Sequence, residues 1–260
     1  MKNDIRVDQL LVTRDLARSR TEAQKLIVAG AVEQLFGGNW LVIKKPSERL
    51  PEHIELRVEI TEEQRFVSRA GLKLEAAIKH SDLNPSGYLC LDVGQSTGGF
   101  TDCLLQYGAA KIIGVEVGHG QLAQKMVTDK RVVCVEGYNA RHLSVDTLPV
   151  QADEKFDLVV MDVSFISQHL ILPNLPPLLK TGATLISLVK PQFEVGKDNI
   201  GKGGVVRDAA LYPQVKAKMI DCLITLGFNI CGYIPSPISG GDGNREFLVI
   251  ANYVGLEESQ

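Results

Sequence analysis

Four ionisable residues stand at the ends of apolar segments: Lys73 in SRAGLKLEAAI, Asp162 after FDLVVM, Lys190 after TLISLV and Glu246 just ahead of FLVIANY. A lysine that closes an apolar strand and precedes proline must direct its amine into a cleft or leave it unsatisfied, and buried cations seldom persist unpaired. Asp162, at another strand end, is the expected partner of Lys190. A structural ion pair at a sheet rim is the plainer reading of these two, and Lys73 and Glu246 taken singly read as surface charges. Together the four suit methylation of an alcohol. A ribose hydroxyl is a weak acid, so its attack on an electrophilic methyl group requires proton removal or stabilisation of the developing charge. Two ammonium groups held close make each other's charge less favourable, so one can act as a neutral base while two carboxylates orient the pair. On this reading Lys190 is the base, Lys73 and Asp162 steer the hydroxyl, and Glu246 orients Lys190.

The stretch LCLDVGQSTGGFTD, residues 89 to 102, joins an apolar run to a helical segment through a glycine-rich turn. At the carboxyl end of a parallel strand, glycines let the backbone approach a ligand. Gly94, Gly98 and Gly99 do not form the G-x-G-x-x-G dinucleotide pattern, and no lysine follows as in a phosphate-binding Walker loop. Asp92 puts a carboxylate beside the turn, which disfavours phosphate and favours a cationic or amine-bearing ligand. Glu116 closes the next strand, 22 residues after Gly94, where an acid can accept hydrogen bonds from a ribose. A nucleoside with a positive tail fits both acids, and S-adenosylmethionine has that shape. The alternative is a tight strand-to-helix turn with solvated acids.

A second glycine stretch, GKDNIGKGG, mimics a Walker spacing through Gly196, Gly201 and Lys202, but Gly203 stands where Ser or Thr would bind magnesium. Residues 195 to 207 read as a mobile loop whose Lys197, Lys202 and Arg207 are available to a polyanion, or as a plain solvated loop.

These groups need a scaffold. From Arg65 onward, strand candidates YLCLDVG, KIIGVEV, RVVCVEG, FDLVVMDVS and TLISLVKP alternate with the helical segments FTDCLLQYG, GQLAQKMVTD and FISQHLILPNLPPLLK, the last interrupted by prolines. SRAGLKLEAAIKH precedes them as a helix. This order implies an α/β fold with a mostly parallel sheet covered on both faces. After the helix DAALYPQVKAKMIDCLITLG, the segments NICGYIPSP and EFLVIANY lack an intervening helix and predict an antiparallel hairpin at one sheet edge. Ahead of all this, VDQLLVTRDLARSRTEAQKLIVAG fits two short helices, the second capped by Ser19 or Thr21 and ended by Gly30. AVEQ, WLVIK and IELRVEI read as short strands, and the polar TEEQ as a linker.

The expected organisation is a small α+β domain over 1–60, a linker at 61–65, a catalytic domain over 66–254 and a tail at 255–260. Residues 1 to 45 hold eight Lys/Arg against five Asp/Glu, whereas the whole chain carries a net charge of -3. A basic module joined to an acidic body suits a polyanionic partner of the first part. Five widely spaced cysteines without a C-x-x-C pair indicate neither a disulfide framework nor a zinc site. No metal is expected. No apolar run approaches the roughly 18 residues of a membrane span, and MKNDIRVDQL does not read as a secretory signal. A cytoplasmic location without membrane attachment is the expectation.

RFVSRAGLKL, LDVGQSTGGFTD, VVMDVSFIS, LVKPQFE and GGDGNREFL together resemble the haemolysin A (TlyA) family of ribosomal RNA methyltransferases, related to the FtsJ-type ribose 2'-O-methyltransferases. The resemblance spans almost the whole chain. It implies a Rossmann-like methyltransferase domain with a seven-stranded sheet, S-adenosylmethionine as donor, ribosomal RNA or ribosomal subunits as partner, and a catalytic Lys-Asp-Lys-Glu tetrad at Lys73, Asp162, Lys190 and Glu246. The implied cofactor-contacting positions are Asp92, Gly94, Ser96, Thr97, Gly98, Gly99, Phe100, Glu116, Val117, Asn139 and Asp162. SRTEAQKLIVAGAV is similar to the alpha-L RNA-binding motif and implies phosphate contacts at Arg6, Arg14, Arg18, Arg20 and Lys25, which position RNA without reading its sequence. Gln95, Ala70 and Glu116 depart from the usual family residues, and QLFGGNW replaces a shorter turn of the RNA module. Two other readings stay open: a membrane-damaging haemolysin, and a ribosome-associated RNA-binding protein without activity.

Overall fold

The computed structural model describes residues 4–17, 19–59, 65–151, 153–240 and 243–255. The chain divides into two compact units, Met1–Arg65 and Phe66–Gln260.

In the first unit, β1 (Asp4–Arg6) leads into α1 (Val7–Thr13) and α2 (Arg20–Val28). The Ser19 hydroxyl accepts from the Glu22 amide at 3.2 Å, the expected N-cap. Gly30, at φ +76°, ends the helix in a conformation that glycine adopts without steric cost. β2 (Val32–Phe36), β3 (Asn39–Val42) and β5 (Leu56–Val58) form a three-stranded antiparallel sheet with β2 in the centre. Gly37 and Gly38, both at positive φ, close the β2–β3 hairpin as a two-residue turn between the paired Phe36 and Asn39. One pairing lay outside the sequence pattern: β1 joins β4 (Arg49–Pro51). Val7, Leu10, Leu11, Leu26, Ile27 and Val32 form the core.

The second unit holds a seven-stranded sheet in the order β11-β12-β10-β9-β6-β7-β8. Its strands are β6 (Leu89–Val93), β7 (Lys111–Glu116), β8 (Val132–Glu136), β9 (Phe156–Met161), β10 (Leu179–Val189), β11 (Phe228–Pro235) and β12 (Phe247–Tyr253). The first five run parallel, while β12 pairs antiparallel with both β10 and β11. Strand alternation divides the core. Leu91, Val159, Leu185 and Val249 face α6 (Leu211–Thr225) and residues 171–178. Cys90, Leu158, Ile186 and Leu248 face α3 (Ala70–His80) and α4 (Gly99–Gln106).

Two segments are less helical than their sequences predict. Only Gln124–Val127 of GQLAQKMVTD forms an α-helix, α5. Residues 168–178 make three short 3-10 turns, because Pro173, Pro176 and Pro177 supply no amide to an α-helical ladder. All five cysteines are free thiols, and among the described residues no helix is long and apolar enough to cross a membrane.

Candidate active site

The chain reverses its order across the sheet between β6 and β9, where loops diverge and leave a crevice beyond the carboxyl ends of the strands. Gly94 follows β6, and a Cβ there would lie 2.6 Å from the Asp162 carbonyl oxygen that follows β9. The two backbones can therefore meet only through glycine. A cavity of about 580 Å³ opens on one side, lined by Gly94, Ser96, Glu116, Val117, Asn139 and Asp162 among others. A smaller one of about 70 Å³ shares Gly94, Ser96 and Asp162 and adds Thr97, Gly99 and Phe100.

Glu116 shapes the larger cavity. Its carboxylate accepts from the amides of Ser96 and Gly118, both at 2.8 Å, which fixes its orientation and leaves lone pairs for ribose hydroxyls. Gly98, at φ +89°, is the residue ahead of α4, and Gly99 admits the start of α3: a Cβ there would lie 3.0 Å from Ala70 Cβ. Asn139 caps the turn Ala140–His142 through Arg141 N at 3.1 Å while lining the larger cavity.

Asp92 does not reach either cavity lining. It lies under the loop, 1% exposed, with Oδ2 accepting from Thr101 Oγ1 at 2.6 Å and Oδ1 without a hydrogen-bond partner. Burial pushes its carboxyl up to about 7, opposed by the Thr101 hydrogen bond. Gln95 explains part of this geometry: its Nε2 donates to Thr101 Oγ1 at 2.9 Å, and its side chain occupies the space above Gly114 that any Cβ would fill.

The four tetrad candidates divide into two ion pairs. Lys190 Nζ lies 2.6 Å from Asp162 Oδ1 and donates to Ser164 Oγ at 2.8 Å. Lys73 Nζ lies 2.5 Å from Glu246 Oε2. The latter corrects one sequence expectation, because Glu246 engages Lys73 rather than orienting Lys190. The reason is topological. Lys73 is the fourth residue of α3, which packs on the face of the sheet near β10 and β12 and brings its amine to the start of β12. Lys190 instead follows β10, whose parallel neighbour β9 ends one residue before Asp162. Lys190 and Asp162 are 12% and 18% exposed in their side chains, and Lys73 and Glu246 11% and 3%. Ser164 and Phe165 were missed from sequence. Phe165 has φ +62° and is 91% exposed beside the cavity. An exposed aromatic next to an acid-bearing strand end was the available signal.

In the first unit, three of the five anticipated RNA contacts, Arg6, Arg14 and Arg20, are already engaged. Arg6 donates to both Asp8 oxygens at 3.0 and 2.9 Å, and Arg20 and Gln24 reach Asp8 Oδ2 at 3.1 and 2.9 Å. Asp8 is fully buried, and these donors, Arg6 foremost, hold its carboxyl far below the usual range. Arg14 donates to the carbonyls of Ile54 and Glu52. Lys25 is exposed near the end of α2, and Arg18 lies outside the described residues.

An FtsJ-like methyltransferase family model matches residues 66–253. The chain belongs to the FtsJ-like methyltransferases. The 16S/23S rRNA (cytidine-2'-O)-methyltransferase TlyA of Mycobacterium tuberculosis is 41% identical over 96% of this chain and 90% of its own length. Hemolysin A of Brachyspira hyodysenteriae is 36% identical over 94% of this chain and 98% of its own. A solved structure from Streptococcus thermophilus, provisionally named a hemolysin, is 38% identical with a TM-score of 0.70, covering 98% of this chain and 90% of that one. For an FtsJ-like methyltransferase, the methyl donor is S-adenosylmethionine, and the residues fit it. The larger cavity is of nucleoside size and has an oriented acid at its rim. The smaller one shares Gly94 and reaches Gly99 and Phe100 at the helix start.

Proposed function

We propose that the chain transfers a methyl group from S-adenosylmethionine to a ribose 2'-hydroxyl of ribosomal RNA, at a cytidine as the name of the Mycobacterium tuberculosis relative has it. On this reading residues 66–254 are the catalytic domain and residues 1–60 the RNA-binding domain. The observation that carries the chemistry is the two amine–carboxylate contacts, of which Lys190–Asp162 adjoins the cavity because Asp162 belongs to its wall.

Bound donor supplies an electrophilic methyl group. Glu116 accepts hydrogen bonds from the donor's ribose, and Gly94, Ser96, Thr97, Gly98 and Phe100 shape the passage for its tail. Lys190 Nζ, once free of its own extra proton, would accept the 2'-hydroxyl proton as the oxygen–methyl bond forms and the donor's sulfur–methyl bond breaks to leave a neutral thioether, while Asp162 and Ser164 fix that nitrogen in place. Lys73, held by Glu246, stabilises the charge developing on the oxygen. Phe165 offers a flat face to an unstacked base, the usual way a protein holds a single nucleotide out of its helix. The partner is ribosomal RNA or a ribosomal subunit, so the reaction belongs to the cytoplasm.

The test is transfer of labelled methyl from S-adenosylmethionine to unmethylated ribosomal subunits, followed by digestion to nucleosides. A labelled 2'-O-methylcytidine supports the reading. Label on a base, or none, contradicts it.

A further inference from the structure

Asn244 is 2% exposed and belongs to neither amine–carboxylate pair. Its Oδ1 accepts from the Val206 amide at 3.3 Å, and its Nδ2 donates to the Gly204 carbonyl at 3.0 Å. Its own carbonyl accepts from Gly240 N at 3.0 Å. The first two bonds fasten a loop that leaves β10 beyond Lys190 to the backbone just ahead of Glu246. The third holds Gly240, where a Cβ would lie 2.6 Å from Glu246 Oε1. One buried amide thus ties together the approaches to two tetrad residues.

The clamped loop has its own order. Ile200 and Val206 form an antiparallel bridge, Gly201 N donates to Val205 O at 2.8 Å, and Gly203 and Gly204 turn at positive φ. Lys197, Lys202 and Arg207 project from it, exposed. None of the three makes an ion pair with a described residue. The Arg207 guanidinium donates to the Asp198 carbonyl at 3.3 Å. Cations that a protein holds beside a catalytic amine without pairing them are suited to phosphate, which fixes the register of an RNA without reading its sequence.

We propose that Asn244 is a positioning residue: it holds the cationic loop 197–207 against the Lys190–Glu246 corner, so that phosphates flanking the target nucleotide dock on the loop and deliver the ribose to the amine. This rests on the RNA reading above. Loosening the clamp weakens RNA placement and leaves intact the donor cavity, whose lining includes no residue of this loop.

The experiment measures KM for ribosomal subunits, kcat and S-adenosylmethionine affinity for Asn244→Ala, Asn244→Asp, the pair Lys197→Glu with Lys202→Glu, and the pair combined with Asn244→Ala. Asn244→Ala and the lysine pair should each raise KM about tenfold, while the combination, acting through one loop, should stay near that value rather than multiply. Donor affinity should be unchanged in all. Asn244→Asp keeps the acceptor for Val206 N and loses the donor to Gly204 O, so it should fall between wild type and Asn244→Ala. An unchanged KM in Asn244→Ala, multiplying effects, or lost donor affinity in Asn244→Asp overturns the inference alone. A wild-type enzyme that methylates no ribosomal RNA overturns the substrate reading, and this inference with it.

Discussion

The two units use the same residue types in opposite ways. Around Asp8 the anion is buried and its cationic partners Arg6 and Arg20 remain 34% and 52% exposed. In the second unit the amines of Lys73 and Lys190 are themselves nearly buried, each held by one carboxylate. In the first arrangement three side chains converge on one acceptor, which suits fixing a helix pair. In the second each amine meets a single carboxylate and keeps further donor capacity, which suits chemistry. A charged residue's role is therefore set by which member of the pair is withdrawn from water and by how many partners it has.

The sharpest way to break this contrast is to remove the second pair. Lys73→Ala and Glu246→Ala should each lower kcat by about 10²-fold or more, the range for a positioned group acting on a developing charge, in single-turnover assays with saturating RNA. If Glu246→Ala alone is harmless, the Lys73 amine does not need orienting. Next, Gly94→Ala introduces a Cβ against the Asp162 carbonyl at 2.6 Å in a backbone at φ +85°. Calorimetry should show S-adenosylmethionine affinity reduced about tenfold or more, since the backbone must shift where the donor lies.

On the structural side, Asp8→Ala should destabilise the first unit by about 1–3 kcal/mol, read by denaturant unfolding, and leave donor affinity as in wild type. The two buried aspartates also predict opposite pH behaviour. Asp8, depressed below its ordinary 3.8, contributes stability that is present above about pH 4 and is lost as pH falls through its folded value. Asp92, raised from 3.8 to about 7, binds its proton more tightly folded than unfolded. Its contribution is full below about pH 4 and lost as pH rises to 7. Asp92→Asn should therefore raise the melting temperature relative to wild type at pH 8, raise it less at pH 5, and change it little below about pH 4. A pH-independent difference would mean that Asp92 is ionised throughout.

Much of the catalytic unit is legible in its sequence because parallel strands buried on both faces read as continuous Val/Ile/Leu runs, and their ends expose the residues that matter. Asp162, Lys190 and Glu246 each adjoin such a run. Which carboxylate serves which amine was not legible, since that depends on β12 inserting between β10 and β11 and on where α3 crosses the sheet. Nor was Asp8: an acid within VDQLLV looks like the solvated side of a helix until Arg6, Arg20 and Gln24 are seen closing over it. The 3-10 turns at 168–178 were obscured because apolar spacing matches a helix while proline removes the donors it needs.

The most direct test of the account is Lys190→Ala, with donor binding measured by calorimetry and methyl transfer by single turnover on ribosomal subunits. The account predicts transfer reduced by about 10³-fold or more with S-adenosylmethionine affinity within about threefold of wild type. Transfer at the wild-type rate would show that the proton leaves by another route.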